Sequence, residues 1–361
     1  MSLRDEKQEL FAKKWMDDGD KFGILLLAPR FGKIKTTINI FNKLQPKRIL
    51  IAYPDLKIED SWKNDFEKFG FVHDDVTFTT HLSLKKYVNE KYDMIVIDEI
   101  HLLSANQLDS LETLIATNNE ENVLGLTGTM TRETEAEIFD ATGLDVVVRY
   151  PIEAAVKDGI VADYEIIIKS VPLDNTKPLN FKGKMRTEKK QFDAIGWVIE
   201  QKQLYGEETM FLRLSRMRII QNSIAKLEYT RKLLEQMKDE RVLVFCGVTK
   251  IADSLGIPSY HSKAGERKMF EDFANGKGNH MAVVKIGNTG VTYKPLNKVI
   301  INYFDSNGEN LAQKINRCMA MEYDNPDKKA IIYIICSTEE VEKKWLMKAL
   351  EFFQADKIKF E

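Results

Sequence analysis

Two series of short apolar runs organise the chain. The first holds GILLLA (23 to 28), RILIAY (48 to 53), VTFTT (76 to 80), DMIVID (93 to 98) and VLGLT (123 to 127). The second holds VLVFC (242 to 246), MAVVKI (281 to 286), KVIINYF (298 to 304) and KAIIYIIC (329 to 336). Amphipathic stretches of helical length separate them. Continuous apolar runs this short predict strands buried on both faces, the pattern of a parallel sheet covered by helices. Right-handed crossovers then put helices on both sides of each sheet. Between the two series, YEIIIKSVPL (164 to 173) predicts one long strand, 174 to 190 an exposed loop, and 188 to 238 a helical stretch. The boundary is expected near 165 to 170. This gives an N-terminal α/β domain over 1–167 and a C-terminal one over 168–361 that includes the helical stretch 188–238.

Length agrees with this division, because 361 residues exceed one ordinary core. Hydrophobic residues at 43% and charged residues at 30% describe a soluble globular chain. No apolar run nears the ~20 residues that span a bilayer, so no membrane partner is expected. The start, MSLRDEKQELF, lacks the apolar core of a secretory signal. The three cysteines, Cys246, Cys318 and Cys336, are far apart, and two lie in strand-like runs. They predict free thiols, no zinc site and a reducing, cytoplasmic location. The net charge of −2 excludes a basic coat for nucleic acid but leaves a local groove open.

Candidate chemistry begins where LAPRFGKIKTTINIF (27 to 41) succeeds the first strand and opens a helix. A strand, a glycine-containing loop and a helix N-terminus together cradle phosphates with backbone N–H groups. Pro29, Arg30, Phe31, Gly32 and Lys33 form this loop. Lys33 is the preferred phosphate lysine, because Gly32 before it permits close backbone approach. Ile34 stands where a Ser or Thr would hold Mg²⁺. Shifting the frame to Lys35-Thr36 puts Ile34 in place of the glycine. Thr36 or Thr37 is the substitute hydroxyl. The plainer reading is a glycine turn into a basic helix.

DMIVIDEIH places Asp98 and Glu99 at the carboxyl end of a strand, where ligands bind in open α/β sheets. Asp98 is expected to hold Mg²⁺ through water, and Glu99 to orient and deprotonate the attacking water. His101 is a link to the other domain. The alternative is an acidic turn that caps the next helix. In the second series, GENLAQKINRCMAMEY (308 to 323) predicts a helix with Gln313 and Arg317 on one face, at i and i+4. An arginine from a second domain can stabilise charge on a γ-phosphate. The alternative is a solvated helix.

The order of these motifs resembles the superfamily 2 helicases and translocases of the DEAD/DEAH-like kind, especially phage and bacterial members of the type III restriction type. The resemblance covers nearly the whole chain. It implies two tandem RecA-like domains with parallel sheets and an interdomain cleft, with ATP and Mg²⁺ at the cleft and DNA across both domains. Arg4 and Gln8 resemble the adenine-reading glutamine motif. PRFGK resembles motif I, and LIAYP with Ser61-Trp62 resembles motif Ia. TTHLSLKK (79 to 86) resembles motif Ib, which implies that Pro54 and Thr80 lie near the nucleic-acid backbone. DEIH resembles motif II. LTGTM, with Thr127, Gly128 and Thr129, resembles motif III, the coupling segment. VLVFCG (242 to 247) resembles motif IV, and Tyr260-His261-Ser262 resembles the segment next after that motif. Asn288, Thr289 and Gly290 resemble motif V, near phosphate backbone and nucleotide. Gln313 to Ala320 resembles motif VI, with Arg317 as its arginine finger.

Two positions depart from the family pattern: Ile34 replaces a hydroxyl, and Ala320 replaces a second arginine. The expected function is an ATP-dependent DNA helicase or translocase in phage or bacterial replication, recombination or repair, most simply monomeric. The alternatives are a nucleic-acid-binding protein with a weakened or lost ATPase, and an RNA helicase. The basic stretches at 182 to 190 and 213 to 218 are further nucleic-acid candidates, or solvated surface. The segment 226 to 238 reads as a packing helix.

Overall fold

The computed structural model describes residues 2–181, 183–262, 267–284, 293, 295–305, 307–321, 325 and 327–361. It divides into two compact units, Met1–Val161 and Ala162–Glu361.

The first unit opens with α1 (Leu3–Asp17), whose N-terminus is closed by reciprocal hydrogen bonds between Ser2 and Asp5. Next come β1 (Phe22–Leu27), α2 (Lys33–Leu44), β2 (Ile49–Tyr53), α3 (Lys57–Lys68), β3 (Val76–Thr80) and β4 (Met94–Asp98). The unit ends with α4 (Ala105–Thr117), β5 (Val123–Thr127), α5 (Arg132–Thr142), β6 (Val146–Tyr150) and α6 (Ile152–Lys157). All six strands are parallel, in the order β3-β2-β4-β5-β1-β6. The four central strands are the apolar runs of the sequence, buried almost throughout. On one face Ile24, Leu50, Ile95 and Ile97 pack with Leu108, Leu111, Leu114 and Ile115 of α4. Those α4 positions recur at three- and four-residue spacing, so one stripe of the helix is apolar. Each such side chain contributes about 1.5–3 kcal/mol of burial. Strand order has a consequence for function. The carboxyl ends of β4, β5 and β1 lie side by side, so the segments 98–101, 127–129 and 28–33 converge on one sheet edge.

The second unit begins with β7 (Asp163–Val171), then β8 (Leu179–Phe181), β9 (Lys184–Arg186), α7 (Glu188–Leu204), α8 (Met210–Gln221) and α9 (Ile224–Gln236). It continues through β10 (Val242–Cys246), α10 (Thr249–Ser254), β11 (Ser259–Tyr260), α11 (Arg267–Ala274), β12 (His280–Val284) and β13 (Lys298–Ile301). It closes with α12 (Gly308–Ile315), β14 (Lys329–Ser337), α13 (Glu340–Leu350) and β15 (Ile358–Phe360). Seven parallel strands run in the order β11-β12-β10-β13-β14-β7-β15. Both units are thus RecA-like parallel-sheet α/β folds.

Three sequence expectations change. The expected division at 167/168 falls inside β7, which pairs with β14 along its whole length, Asp163 to Val171 against Lys329 to Ser337. The compact units meet at Val161 and Ala162 instead. The expected loop at 174 to 190 contains an antiparallel hairpin, β8 on β9, and the first turn of α7. Gly183 turns that hairpin with φ 86°, and the Asn180 side chain accepts its N–H. The edge strands β6 and β15 lie outside the predicted runs, being half-exposed or only three residues long.

The three cysteines are buried free thiols. Trp15 and Trp62 are fully buried, whereas Trp197 is largely exposed. Among the described residues no helix is long and apolar enough to cross a membrane.

Candidate functional site

The loop after β1 turns sharply because Arg30 and Gly32 both take left-handed backbone conformations, with φ 68° and 104°. Gly32 then precedes α2, whose N-terminus has no side-chain cap. An uncapped helix end preceded by such a turn offers backbone N–H groups and a positive dipole end to an anion. Gln8 of α1 donates from Nε2 to the carbonyl of Phe31 at 2.9 Å and reaches that of Gly32 at 3.5 Å. A Cβ on residue 32 would meet this amide at 2.4 Å, so Gln8 and the glycine are matched. Phe31 is fully buried against Phe11 and Tyr150, which pins the loop.

Lys33 projects onto the strand-end carboxylates. Its Nζ lies 2.5 Å from Glu99 Oε1 and 3.9 Å from Asp98 Oδ1. Glu99 itself has φ 50°, which lets the chain leave β4 while both carboxylates stay at the sheet edge. Asp98 Oδ1 accepts the Glu99 N–H at 3.0 Å, and Oδ2 accepts the Trp62 indole N–H at 3.0 Å. The His81 ring contacts the Asp98 carbonyl at 2.9 Å.

Electrostatics reflect this crowding. Burial raises Asp98 to about 6, partly offset by Lys33 and reinforced by Glu99. Burial also disfavours the Glu99 charge, but Lys33, His101 and hydrogen bonds outweigh it, so Glu99 sits below the usual carboxylate range. For Lys33, burial acts to lower the pKa, yet the two carboxylates hold it above the ordinary lysine value. Burial pulls His101 and His81 down to about 4, so both rings are neutral near pH 7. The Thr127 hydroxyl donates to the Thr129 carbonyl at 2.7 Å. It therefore accepts from His101 Nδ1, 2.7 Å away, which assigns the ring proton to Nδ1. The same nitrogen lies 3.5 Å from Glu99 Oε2. Gly128 adds a backbone hydrogen bond to Glu99 and packs against Pro29. One connected network thus joins the three strand-end segments.

Other expected residues are placed less centrally. The Arg4 guanidinium donates to the Ile160 carbonyl at 2.6 Å. Thr36 is fully buried, and its hydroxyl donates to the Gly32 carbonyl at 3.3 Å. Thr37 does the same to Lys33 at 3.1 Å. Both hydroxyls are thus engaged with helix carbonyls one turn back. Pro54 lies just past β2 and Thr80 ends β3; these strands are paired, with Tyr53 opposite Thr80.

In the second unit, α12 stops at Ile315, and Arg317 lies in a tighter 3₁₀ turn, Asn316–Cys318. Gln313 and Arg317 therefore do not share one α-helical face, a correction to the i, i+4 expectation. Helix ends commonly tighten in this way, and Asn and Cys favour the helix weakly. Both side chains are half-buried. Ala320 is half-buried, and its carbonyl accepts from Lys328 Nζ at 2.9 Å. His261 bonds Asp253 at 2.9 Å. Asn288, Thr289 and Gly290 lie outside the described residues.

Sequence reasoning misses two groups that touch Asp98. The sequence groups Trp62 with the nucleic-acid motif Ia, and nothing marks His81 within motif Ib. Each meets Asp98 from another element, Trp62 from α3 and His81 from the 3₁₀ turn after β3, and no fixed spacing along the chain encodes such a contact.

The site suits a Mg²⁺–nucleotide in its donor set. Among the described residues no cluster of three or more His, Cys, Asp or Glu is arranged to hold a metal. One or two carboxylates beside an anion cradle are what Mg²⁺ needs when phosphates and water complete its shell.

Residues 225–321 match the helicase conserved C-terminal domain. The chain is 21% identical over 366 residues to the DNA 3′-5′ translocase XPB2 of Sulfurisphaera tokodaii, covering 92% of this chain and 81% of that protein. Its fold is similar to that of the Pyrococcus furiosus Hef helicase domain, with TM-score 0.53 and 12% identity over 97% of this chain and 100% of that one. It is also similar to the ATP-dependent Type ISP restriction-modification enzyme LlaBIII bound to DNA. There the TM-score is 0.62 and the identity 15%, over 98% of this chain and 31% of the enzyme.

Proposed function

From the premise that these likenesses support a superfamily 2 helicase or translocase, we propose that the chain is an ATP-dependent motor acting on DNA. The observation that carries this reading is the Lys33–Glu99–Asp98 cluster, half-buried at Lys33 and Glu99 and buried at Asp98, beside the uncapped start of α2. A lysine next to an anion cradle binds terminal phosphates, and Asp98 is the Mg²⁺ carboxylate. Bound Mg²⁺ would neutralise charge on the phosphates. Glu99, held ionised, is the base. It accepts a proton from a water whose oxygen bonds to the γ-phosphorus as the bond to the leaving ADP breaks. Before this step, as the nucleotide binds, Lys33 exchanges its carboxylate partner for phosphate. His101, neutral and bonded to Thr127, ties Glu99 to the Thr127–Gly128–Thr129 segment, the proposed coupling route. Gln8 and Arg4 are the nucleotide-side supports. Pro54, Thr80, Thr289 and Gly290 are the proposed contacts to the DNA backbone.

The test is phosphate release with no nucleic acid, with single-stranded DNA, with duplex DNA and with RNA of one sequence. DNA should raise the rate, and Glu99→Gln should cut it by about 10²–10⁴. Rates that no nucleic acid changes would sink the motor reading, and stimulation by RNA alone would change its substrate. A second reading, ATP-sensitive DNA binding without turnover, rests on Ile34 and Ala320. It predicts no phosphate release above that of Glu99→Gln.

A further inference from the structure

A carboxylate turns easily about its last torsion, which is broad and two-fold. Asp98 has no such freedom. Oδ1 is held by the backbone N–H of Glu99 and Oδ2 by the Trp62 indole, each at 3.0 Å. Each oxygen keeps a further lone pair. The indole is itself fixed. Trp62 is fully buried on α3, with its ring edge-to-face on Phe66 at 5.8 Å and 85°. A buried indole N–H is a donor only and needs an acceptor, and a carboxylate makes the strongest one. We infer that Trp62 is a positioning residue, whose indole N–H holds Asp98 in the orientation that receives Mg²⁺. This rests on the reading of Asp98 as the Mg²⁺ carboxylate. It also gives α3, the helix just past Pro54, a direct hold on the nucleotide site. A packing role alone would need the ring but not its N–H.

Trp62→Phe separates these roles, because phenylalanine keeps an aromatic ring beside Phe66 and removes the donor. The probe is Mn²⁺, titrated into the full chain with a non-hydrolysable ATP analogue and followed by electron paramagnetic resonance. Trp62→Phe should weaken Mn²⁺ binding by about tenfold, the scale set by outer partners of metal ligands. Metal-free ADP should bind as to the wild type. In the ATPase, half-saturating Mg²⁺ should rise by a similar factor while the rate at saturating Mg²⁺ stays near wild type. Adding Trp62→Phe to Asp98→Asn should weaken Mn²⁺ no further, because the indole acts through that carboxylate. Wild-type Mn²⁺ affinity in Trp62→Phe overturns the inference even if the melting temperature falls. Equal loss of ADP and Mn²⁺ affinity overturns it too, as the mark of a packing role. Wild-type Mn²⁺ affinity in Asp98→Asn removes the metal reading itself, and the positioning role with it.

Discussion

At residue 32 the backbone angle and the neighbouring side chain make the same demand. A φ of 104° is strained for any side chain, and a Cβ there would strike the Gln8 amide at 2.4 Å. Gly32→Ala should therefore cost on the order of 1–3 kcal/mol in urea unfolding and weaken nucleotide binding by displacing Gln8. An unchanged midpoint would show that the loop relaxes freely. Thr36 gives the opposite expectation. The sequence makes it the substitute for the hydroxyl missing at Ile34, yet its hydroxyl bonds the Gly32 carbonyl. Thr36→Val should lower stability by about 1 kcal/mol and leave the Mg²⁺ requirement of phosphate release unchanged. A raised Mg²⁺ requirement would restore Thr36 to the metal's side. The glycine and the lysine were legible because close approach and charge each demand one residue type. The direction of a threonine hydroxyl was not, because it is settled by whichever carbonyl stands one turn back.

Between elements, two ion pairs contrast. Lys226 on α9 meets Glu342 on α13 at 2.6 Å with both side chains buried, and Glu342 also accepts the Ser337 N–H at 2.6 Å. Removing one partner strands a buried charge, so Lys226→Met or Glu342→Leu alone should each cost about 3–5 kcal/mol. The double variant should recover most of that, because a well-packed apolar pair avoids desolvating two ions. Additive losses in the double variant would refute this account. On the sheet surface, Glu165 of β7 sits between Lys329 of β14 and Lys359 of β15. Hydrogen bonds from these lysines hold Glu165 down at about 2. A depressed carboxylate stabilises the fold above its unfolded pKa and loses that effect as pH falls through the folded one. The stability gap between wild type and Glu165→Gln should be roughly 0.5–1 kcal/mol above pH 5 and close toward pH 2. A gap that does not vary over that range would mean the pairs add nothing. The segment 226 to 238 was legible as a packing element from its periodicity, and α9 covers most of it. Its buried lysine was not, since a lysine in a helix normally marks the exposed face.

For the whole chain, the strands that run buried through both sheets were readable as apolar runs, because a strand covered on both faces has no polar positions to hide it. Of the edge strands, β3 lies in a predicted run, but the others were not readable. β6, β15 and the β8–β9 hairpin owe their state to a neighbour and carry little pattern of their own. The same logic decides where the chain divides. A cut at 167/168, which the sequence suggests, splits β7 and takes Asp163 to Ile167 from their partners Lys329 to Tyr333. It also leaves Ile358 and Lys359 of β15 without Ile166 and Ile167 opposite. A cut at 161/162 severs no strand, and it keeps Arg4 on the Ile160 carbonyl and Lys7 on Asp158 within the first unit. A segment comprising 162–361 should accordingly unfold cooperatively, whereas 168–361 should lose several kcal/mol of stability, with Tyr164 and Ile166 gone from its core. The shorter segment also exposes a raw edge on β14 and should aggregate more readily. Urea unfolding and light scattering of the two segments side by side check this, and equal midpoints would mean that β7 adds nothing to the second sheet.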